Sequence, residues 1–385
     1  MITSRRFYDV RGRVPAPQWL LVGQLRDLLS RLGLLDQLQL VRTLPANRRH
    51  ATRARTFAAS VLADVSDARE DGPWRTYNLV STNRDVAVLA AGPTTHPLRA
   101  VIKVAETPAA AEGLECHRRA LRALQGDERL GSWRSVIPRV LDAGEADGLA
   151  YILEQRLPGT HLERLLGRTE VRERALQASA AAIGRLHVAT AREVQVDHGM
   201  LERWVSEPAR VLAEVLGKGR GRGDALAALG RLEDHLRAAI AAGPVAVSWV
   251  HGDYYHRNIL AGPDGTVTGI VDWEFADPQD LPAVDVVTLL LTVRMWRRHQ
   301  ELGQVVADLV TNPTWTPSEA RMLVSAQSDV VACPLGTKSL VLLCWLRHAA
   351  AKFTRRTGYD DHGLWMHANV HTVLAALAQG PTTLG

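Results

Sequence analysis

VSWVHGDYYHRNILAGPDGTVTGIVDWEFADP, residues 247–278, is a β-rich island with helical patterns on both sides. Pro263-Asp264-Gly265 supplies a turn between two short apolar runs, NILAG and VTGIVDW. If those runs pair antiparallel, Asn258 before the first comes beside Asp272 after the second. Ahead of them stands His251-Gly252-Asp253. Moving a phosphoryl group to an alcohol requires a carboxylate within hydrogen-bond reach of the acceptor proton. It also requires Mg²⁺ on the polyphosphate, held by hard oxygen ligands. Asp253, Asn258 and Asp272 fit these roles by residue type and spacing. Each alone reads as an ordinary turn residue; the ordered set, with strands around it, reads as a site.

Working outward, the chain before the island changes period twice. YNLVSTNRDVAVLAAG and LRAVIKVAE, from Tyr77 onward, are short β-rich runs separated by the turn former GPTTHP, and they predict a hairpin followed by a third strand. PAAAEGLECHRRALRALQGDERL predicts a helix. Residues 136–144 and GLAYILEQRL predict two more strands, ended by Pro158-Gly159. Helical patterns follow over 161–191, 199–217 and 224–242, and again from Pro282 almost to the end. Lys103 lies in the apolar run AVIKVA, where a lysine is costly unless an anion pairs with it.

HGDxxxxN followed by a strand ending in Asp-Trp-Glu resembles the aminoglycoside phosphotransferase and choline kinase family, distant relatives of the protein kinases. The resemblance implies an α+β, bilobal protein-kinase-like fold with a small β-rich lobe and a large helical lobe. It implies Asp253 as catalytic base, Asn258 and Asp272 as Mg²⁺ ligands, and His251 as a support of the loop. Asp285, in DLPAVDVVTLL, matches the acid that braces the catalytic loop from the next helix. Lys103 corresponds to the lysine that contacts the α- and β-phosphates of ATP or GTP, held by a glutamate on the following helix; Glu115 is preferred for that partner over Glu112. YILEQRLPG resembles the hinge, where the segment Glu154, Gln155 and Arg156 would meet the nucleotide base through its backbone. The phosphate-covering loop falls near Ser81 and Thr82, whose amides or hydroxyls would cap phosphates; this stretch departs from the family in having no glycine.

The expected organisation is a basic helical extension over 1–75, a nucleotide-binding lobe over 76–157, and a helical lobe with catalytic loop and acceptor site over 158–385. Leu25, Leu28, Leu29, Leu32 and Leu35 predict amphipathic packing helices in the extension, and 53–68 a further helix. The net charge of +5 is concentrated there: residues 1–60 hold 11 Arg against three acids. Such an arm would suit nucleic acid or an anionic membrane, but more often is a solvated helix face. Cys116, Cys333 and Cys344 form no CxxC, no run has the ~18–20 apolar residues of a membrane span, and MITSRRFYDVRGRV lacks the apolar core of a secretory signal. A cytoplasmic enzyme is the expectation, with nucleotide and a small hydroxylated molecule as its partners and no membrane.

Residues 294–385 carry nine Lys or Arg against six acids, which disfavours a polycationic acceptor, and Trp296, Trp315, Trp345 and Trp365 are candidate stacking surfaces. The function expected is Mg²⁺-dependent O-phosphorylation of an antibiotic or related natural product, in self-resistance or biosynthesis. The rivals are a kinase of a primary metabolite (a sugar, choline or an amino alcohol), a catalytically inactive nucleotide-binding module, and a partner- or nucleic-acid-binding protein using the basic arm.

Overall fold

The computed structural model describes residues 54–63, 72–82, 85–93, 95, 99–217, 222–328, 334–354 and 363–379. The leucine-rich pattern at 15–42 and the basic arm through residue 53 lie outside the described residues, as does Cys333.

Helix α1 (54–63) precedes five antiparallel strands in the order β1-β2-β3-β5-β4. These are β1 (Trp74–Thr82), β2 (Val86–Pro93), β3 (Ala100–Ala105), β4 (Val140–Ala146) and β5 (Leu149–Gln155). Helix α2 (Pro108–Gly126) connects β3 to β4. Thr107 caps it, its Oγ1 accepting the Ala110 N–H at 3.2 Å, and Pro108 occupies the first turn, where a missing N–H costs nothing.

Strand alternation gives the sheet two faces. Leu89, Ile102, Val104 and Leu153 turn one way and form a core with Phe57, Ala58, Val61 and Leu62 of α1. Lys103, Ile152 and Glu154 point the other way, and Ile152 joins the core that includes Leu114, Leu121 and Leu124 of α2. Among the described residues the sheet's core thus includes α1, which precedes the expected lobe boundary at 76: Phe57, Ala58, Val61 and Leu62 are buried in it.

The larger lobe contains β6 (Thr160–His161), α3 (Glu163–Leu166), α4 (Thr169–Thr190), β7 (Arg192–Val194), α5 (His198–Leu201), α6 (Glu207–Gly217) and α7 (Arg222–Ile240). There follow β8 (Val245–Val250), β9 (Ile259–Ala261), β10 (Val267–Ile270) and β11 (Asp277–Asp280). Helices α8 (Ala283–Arg298), α9 (Leu302–Thr311), α10 (Pro317–Ser328), α11 (Thr337–Thr354), α12 (Gly363–Met366) and α13 (Thr372–Gln379) complete it. The anticipated hairpin is β9–β10, in register from Ile259 opposite Ile270. It belongs to a three-stranded sheet, β10-β9-β6, while β11-β8-β7 form another. β6, β7 and β11 are too short to carry a periodic signal, so the helical pattern expected from 161 begins only at Glu163. Helix α8 is buried on nearly every face, which places Asp285 in the core behind the loop between β8 and β9.

Candidate active site

Lys103, 7% exposed, lies on the face of the small-lobe sheet opposite α1. Its Nζ lies 3.3 Å from Glu154 Oε1 and 3.5 Å from Asp272 Oδ1. Burial alone would lower the ammonium's pKa; the two carboxylates outweigh it and hold the pKa above its ordinary value. Burial would likewise raise the Glu154 carboxyl, but Lys103 and His117 bring it down to about 2.

This carboxylate is not the expected one. Glu115 forks onto Arg118 at 2.6 and 2.7 Å, and Glu112 is exposed. The correction follows from helical phase: the buried stripe of α2 is Leu114, His117, Leu121 and Leu124, and both glutamates lie off it. The α2 residue that reaches the lysine's surroundings is His117. Its Nδ1 accepts the Trp273 N–H at 2.9 Å, so its proton sits on Nε2, which donates to Glu154 Oε2 at 2.7 Å. The Lys103 ammonium, 3.4 Å from that same nitrogen, is then a neighbour and not a hydrogen-bond partner. Burial and the Lys103 charge push the pKa of His117 down and keep the ring neutral.

The loop after β8 is braced from behind. Gly252 has φ +76°, and a Cβ there would run into the Phe275 carbonyl, so only glycine fits. Asp285 accepts the His251 N–H at 2.8 Å, the Gly252 N–H at 3.0 Å and His187 Nε2–H at 3.0 Å. Burial would raise its carboxyl, but these partners hold it below the ordinary carboxylate range. His251 donates Nε2–H to the Val271 carbonyl at 2.9 Å, and its Nδ1 accepts the Asp253 N–H at 3.3 Å. Both ring nitrogens are engaged, which leaves it a brace and no free acid or base. Tyr254 is fully buried, its hydroxyl donating to the Ser179 carbonyl at 2.8 Å.

The Val271 N–H to Asn258 carbonyl bond, 2.9 Å, extends the hairpin register and sets Asn258 beside Asp272. Asn258 Nδ2 donates to the Asp253 carbonyl at 2.9 Å and lies 3.4 Å from Asp253 Oδ2. With its nitrogen so committed, the amide oxygen is the atom left for a cation. Asp272 has φ 72°, a left-handed conformation uncommon outside glycine, and a half-exposed carboxylate. Burial would raise its carboxyl, but the Lys103 ammonium keeps it below the ordinary range. Among the described residues no group of three or more His, Cys, Asp or Glu stands close enough to hold a metal ion. One carboxylate and one amide oxygen suit Mg²⁺, which completes its shell with water and phosphate oxygens.

A family model described as the phosphotransferase enzyme family matches residues 74–323, the stretch that holds every one of these groups. The chain belongs to that family. Its members are phosphotransferase enzymes. No curated protein matches the chain. Similar solved structures include an aminoglycoside phosphotransferase from Streptomyces rimosus (18% identity, 76% of this chain and 98% of that one, TM-score 0.44). A type I macrolide 2′-phosphotransferase follows with 16% identity, 83% and 95% coverage and TM-score 0.47. A glucosamine kinase has 14% identity, 83% and 96% coverage and TM-score 0.37.

In this phosphotransferase the hinge segment makes these contacts within its own lobe. Glu154 turns its side chain to Lys103, and the N–H groups of Gln155 and Arg156 are taken by the carbonyls of Arg139 at 2.8 Å and Arg99 at 3.0 Å. A base would have to be met by other atoms of this segment. Ser81 and Thr82 end β1, opposite Val88 and Ala87; residues 83 and 84 after them lie outside the described residues. Of the four tryptophans, Trp345 is core, with Nε1–H on the Asn369 carbonyl, Trp315 lies under Arg294, and Trp365 packs on Phe353. Trp296 approaches the catalytic loop, 6.5 Å between ring centres from His256. His256 is buried, its Nδ1 has no partner among the described residues, and burial pushes its pKa down to about 4. His117 and His187 are the residues that motif reading passes over; the signal for His117 is a polar residue within the apolar stripe of α2.

Proposed function

We propose that this phosphotransferase moves the terminal phosphoryl group of ATP or GTP to a hydroxyl of an antibiotic or related natural product, in self-resistance or biosynthesis in the cytoplasm. The observation that carries the reading is the convergence of Asp253, Asn258, Asp272 and Lys103 at one cleft. Asp253 accepts the proton of the attacking hydroxyl and orients its oxygen toward the phosphorus. Lys103, kept charged by its two carboxylates, neutralises phosphate oxygens. Asn258 and Asp272 would hold Mg²⁺, which when bound screens the phosphate charge. Asp285 and His251 hold the loop in the geometry that proton transfer needs, so positioning and electrostatics supply the rate. The net basic charge of residues 294–385 supports an acceptor that is not a polycation.

The test is mass spectrometry of an acceptor panel (aminoglycosides, nucleoside antibiotics, macrolides, sugars, choline) incubated with enzyme, Mg²⁺ and ATP or GTP. A phosphate mass gain on a natural product, abolished by Asp272→Ala, supports the reading. A gain confined to sugars or choline assigns a primary-metabolite kinase instead. Nucleotide binding without any transfer favours a binding module.

A further inference from the structure

His117 joins groups that belong to different lobes. Its Nε2–H holds Glu154 at the end of β5 in the small lobe, and its Nδ1 holds the N–H of Trp273, the residue after Asp272 in the large lobe. Trp273 is itself fixed: it is fully buried, its Nε1–H donates to the Ile270 carbonyl at 2.9 Å, and its ring packs 4.6 Å from that of His251. Lys103 lies between the two carboxylates governed by this chain of contacts.

We propose that His117 is the positioning residue of the phosphate-binding lysine, a single rigid ring that sets the separation of Lys103 and Asp272 and so aligns the nucleotide phosphates with Asp253. The proposal rests on the reading of Lys103 and Asp272 given above. Three features make a neutral imidazole the suitable group. It offers one donor and one acceptor on opposite edges of a plane, which matches a carboxylate on one side and a backbone N–H on the other. It has only two side-chain torsions, so little freedom is lost in holding both. It also adds no charge: an ionised carboxylate here would have no proton to donate to Glu154 and would face it as a like charge. Here the lysine's anion stands on the hinge strand, and the helix supplies the link between lobes.

The experiment is a charge-relocation cycle on the full chain: His117→Glu, Glu154→Gln and the double variant. Nucleotide Kd is measured by calorimetry, with kcat and KM for nucleotide and acceptor, and melting curves for each protein. His117→Glu is expected to lower kcat/KM for the nucleotide by about 10–100-fold, the usual effect of disturbing a residue that orients a liganding group. It should weaken nucleotide binding while leaving KM for the acceptor unchanged. The double variant, with the carboxylate on the helix and an amide on the strand, should regain roughly tenfold or more of that loss. An imidazole ¹⁵N spectrum should place the His117 proton on Nε2. If His117→Glu does not fold, His117→Asn and His117→Gln replace it: each keeps one of the two hydrogen bonds, and wild-type kcat and nucleotide Kd in both would overturn the proposal. Single and double variants equally impaired, with normal nucleotide binding by the wild type, would overturn it while leaving the functional reading intact. A wild type that binds no nucleotide would defeat the functional reading, and this proposal with it.

Discussion

Glu154 and Lys103 meet diagonally across adjacent antiparallel strands. Lys103 stands opposite Ile152 and Glu154 opposite Val101, and the two side chains close to 3.3 Å on the cleft face of the sheet. The long lysine stem spans the diagonal, a distance that short side chains would leave open. A lysine anchored this way is held by strand pairing, so its charge and position do not depend on a glutamate from α2.

That pair should govern acid stability. The folded pKa of Glu154, about 2, lies below the ordinary 4.5. Its contribution is therefore fully present above the unfolded value and is lost as pH falls from there toward 2. Asp272 and Asp285, also lowered, act in the same direction. Glu154→Gln should lower Tm at neutral pH and flatten the acid limb of a Tm–pH curve; parallel acid limbs in variant and wild type would contradict it.

Asp253→Ala should lower kcat by ~10²–10⁴ with little change in nucleotide affinity, because it removes the proton acceptor and no phosphate contact. Steady-state kinetics with calorimetry check both halves. Unchanged turnover would remove Asp253 from the mechanism.

Asp285→Ala should both destabilise and inactivate. It strands two backbone N–H groups and His187 in the core, at about 1–3 kcal/mol for each unsatisfied buried group. A fall in urea midpoint together with loss of kcat is expected. Lost activity without lost stability would confine Asp285 to the chemistry.

Gly252→Ala adds a Cβ against the Phe275 carbonyl at a backbone angle that side chains rarely adopt. The loop must shift, taking Asp253 with it. Turnover should fall by at least tenfold while nucleotide binding persists; a fully active variant would show that the loop tolerates the strain.

Glu319→Ala tests the large lobe independently of catalysis. Glu319 accepts a 2.9 Å bond from Arg294 Nε within the core, and Arg294 also donates to the Thr314 carbonyl at 2.7 Å and lies 4.4 Å from the Trp315 ring centre. Removing one partner of a buried pair costs about 3–5 kcal/mol. Chemical denaturation should register a loss of that size.

By itself the sequence determined the order of the longer elements, though not of β6, β7 and β11, and it singled out residues that the structure brings close together. Period-two runs, a Pro-Asp-Gly turn and the order Lys103, Asp253, Asn258, Asp272 are local features, and a hairpin register follows from local pairing, so Asn258 and Asp272 could be set side by side from the chain alone. Helix phase was also written in the residues: the stripe Leu114, His117, Leu121, Leu124 already excludes Glu112 and Glu115 from the buried face. What the tertiary structure decided is which groups meet across long separations. Glu154 became the lysine's partner through strand pairing, His117 reached Trp273 over 156 residues, and His187 reached Asp285 over 98. Packing then set the charges: for His117, desolvation and the neighbouring ammonium both lower the pKa and keep the imidazole neutral, whereas for Glu154 the ammonium and the His117 bond overcome desolvation and bring the carboxyl down to about 2.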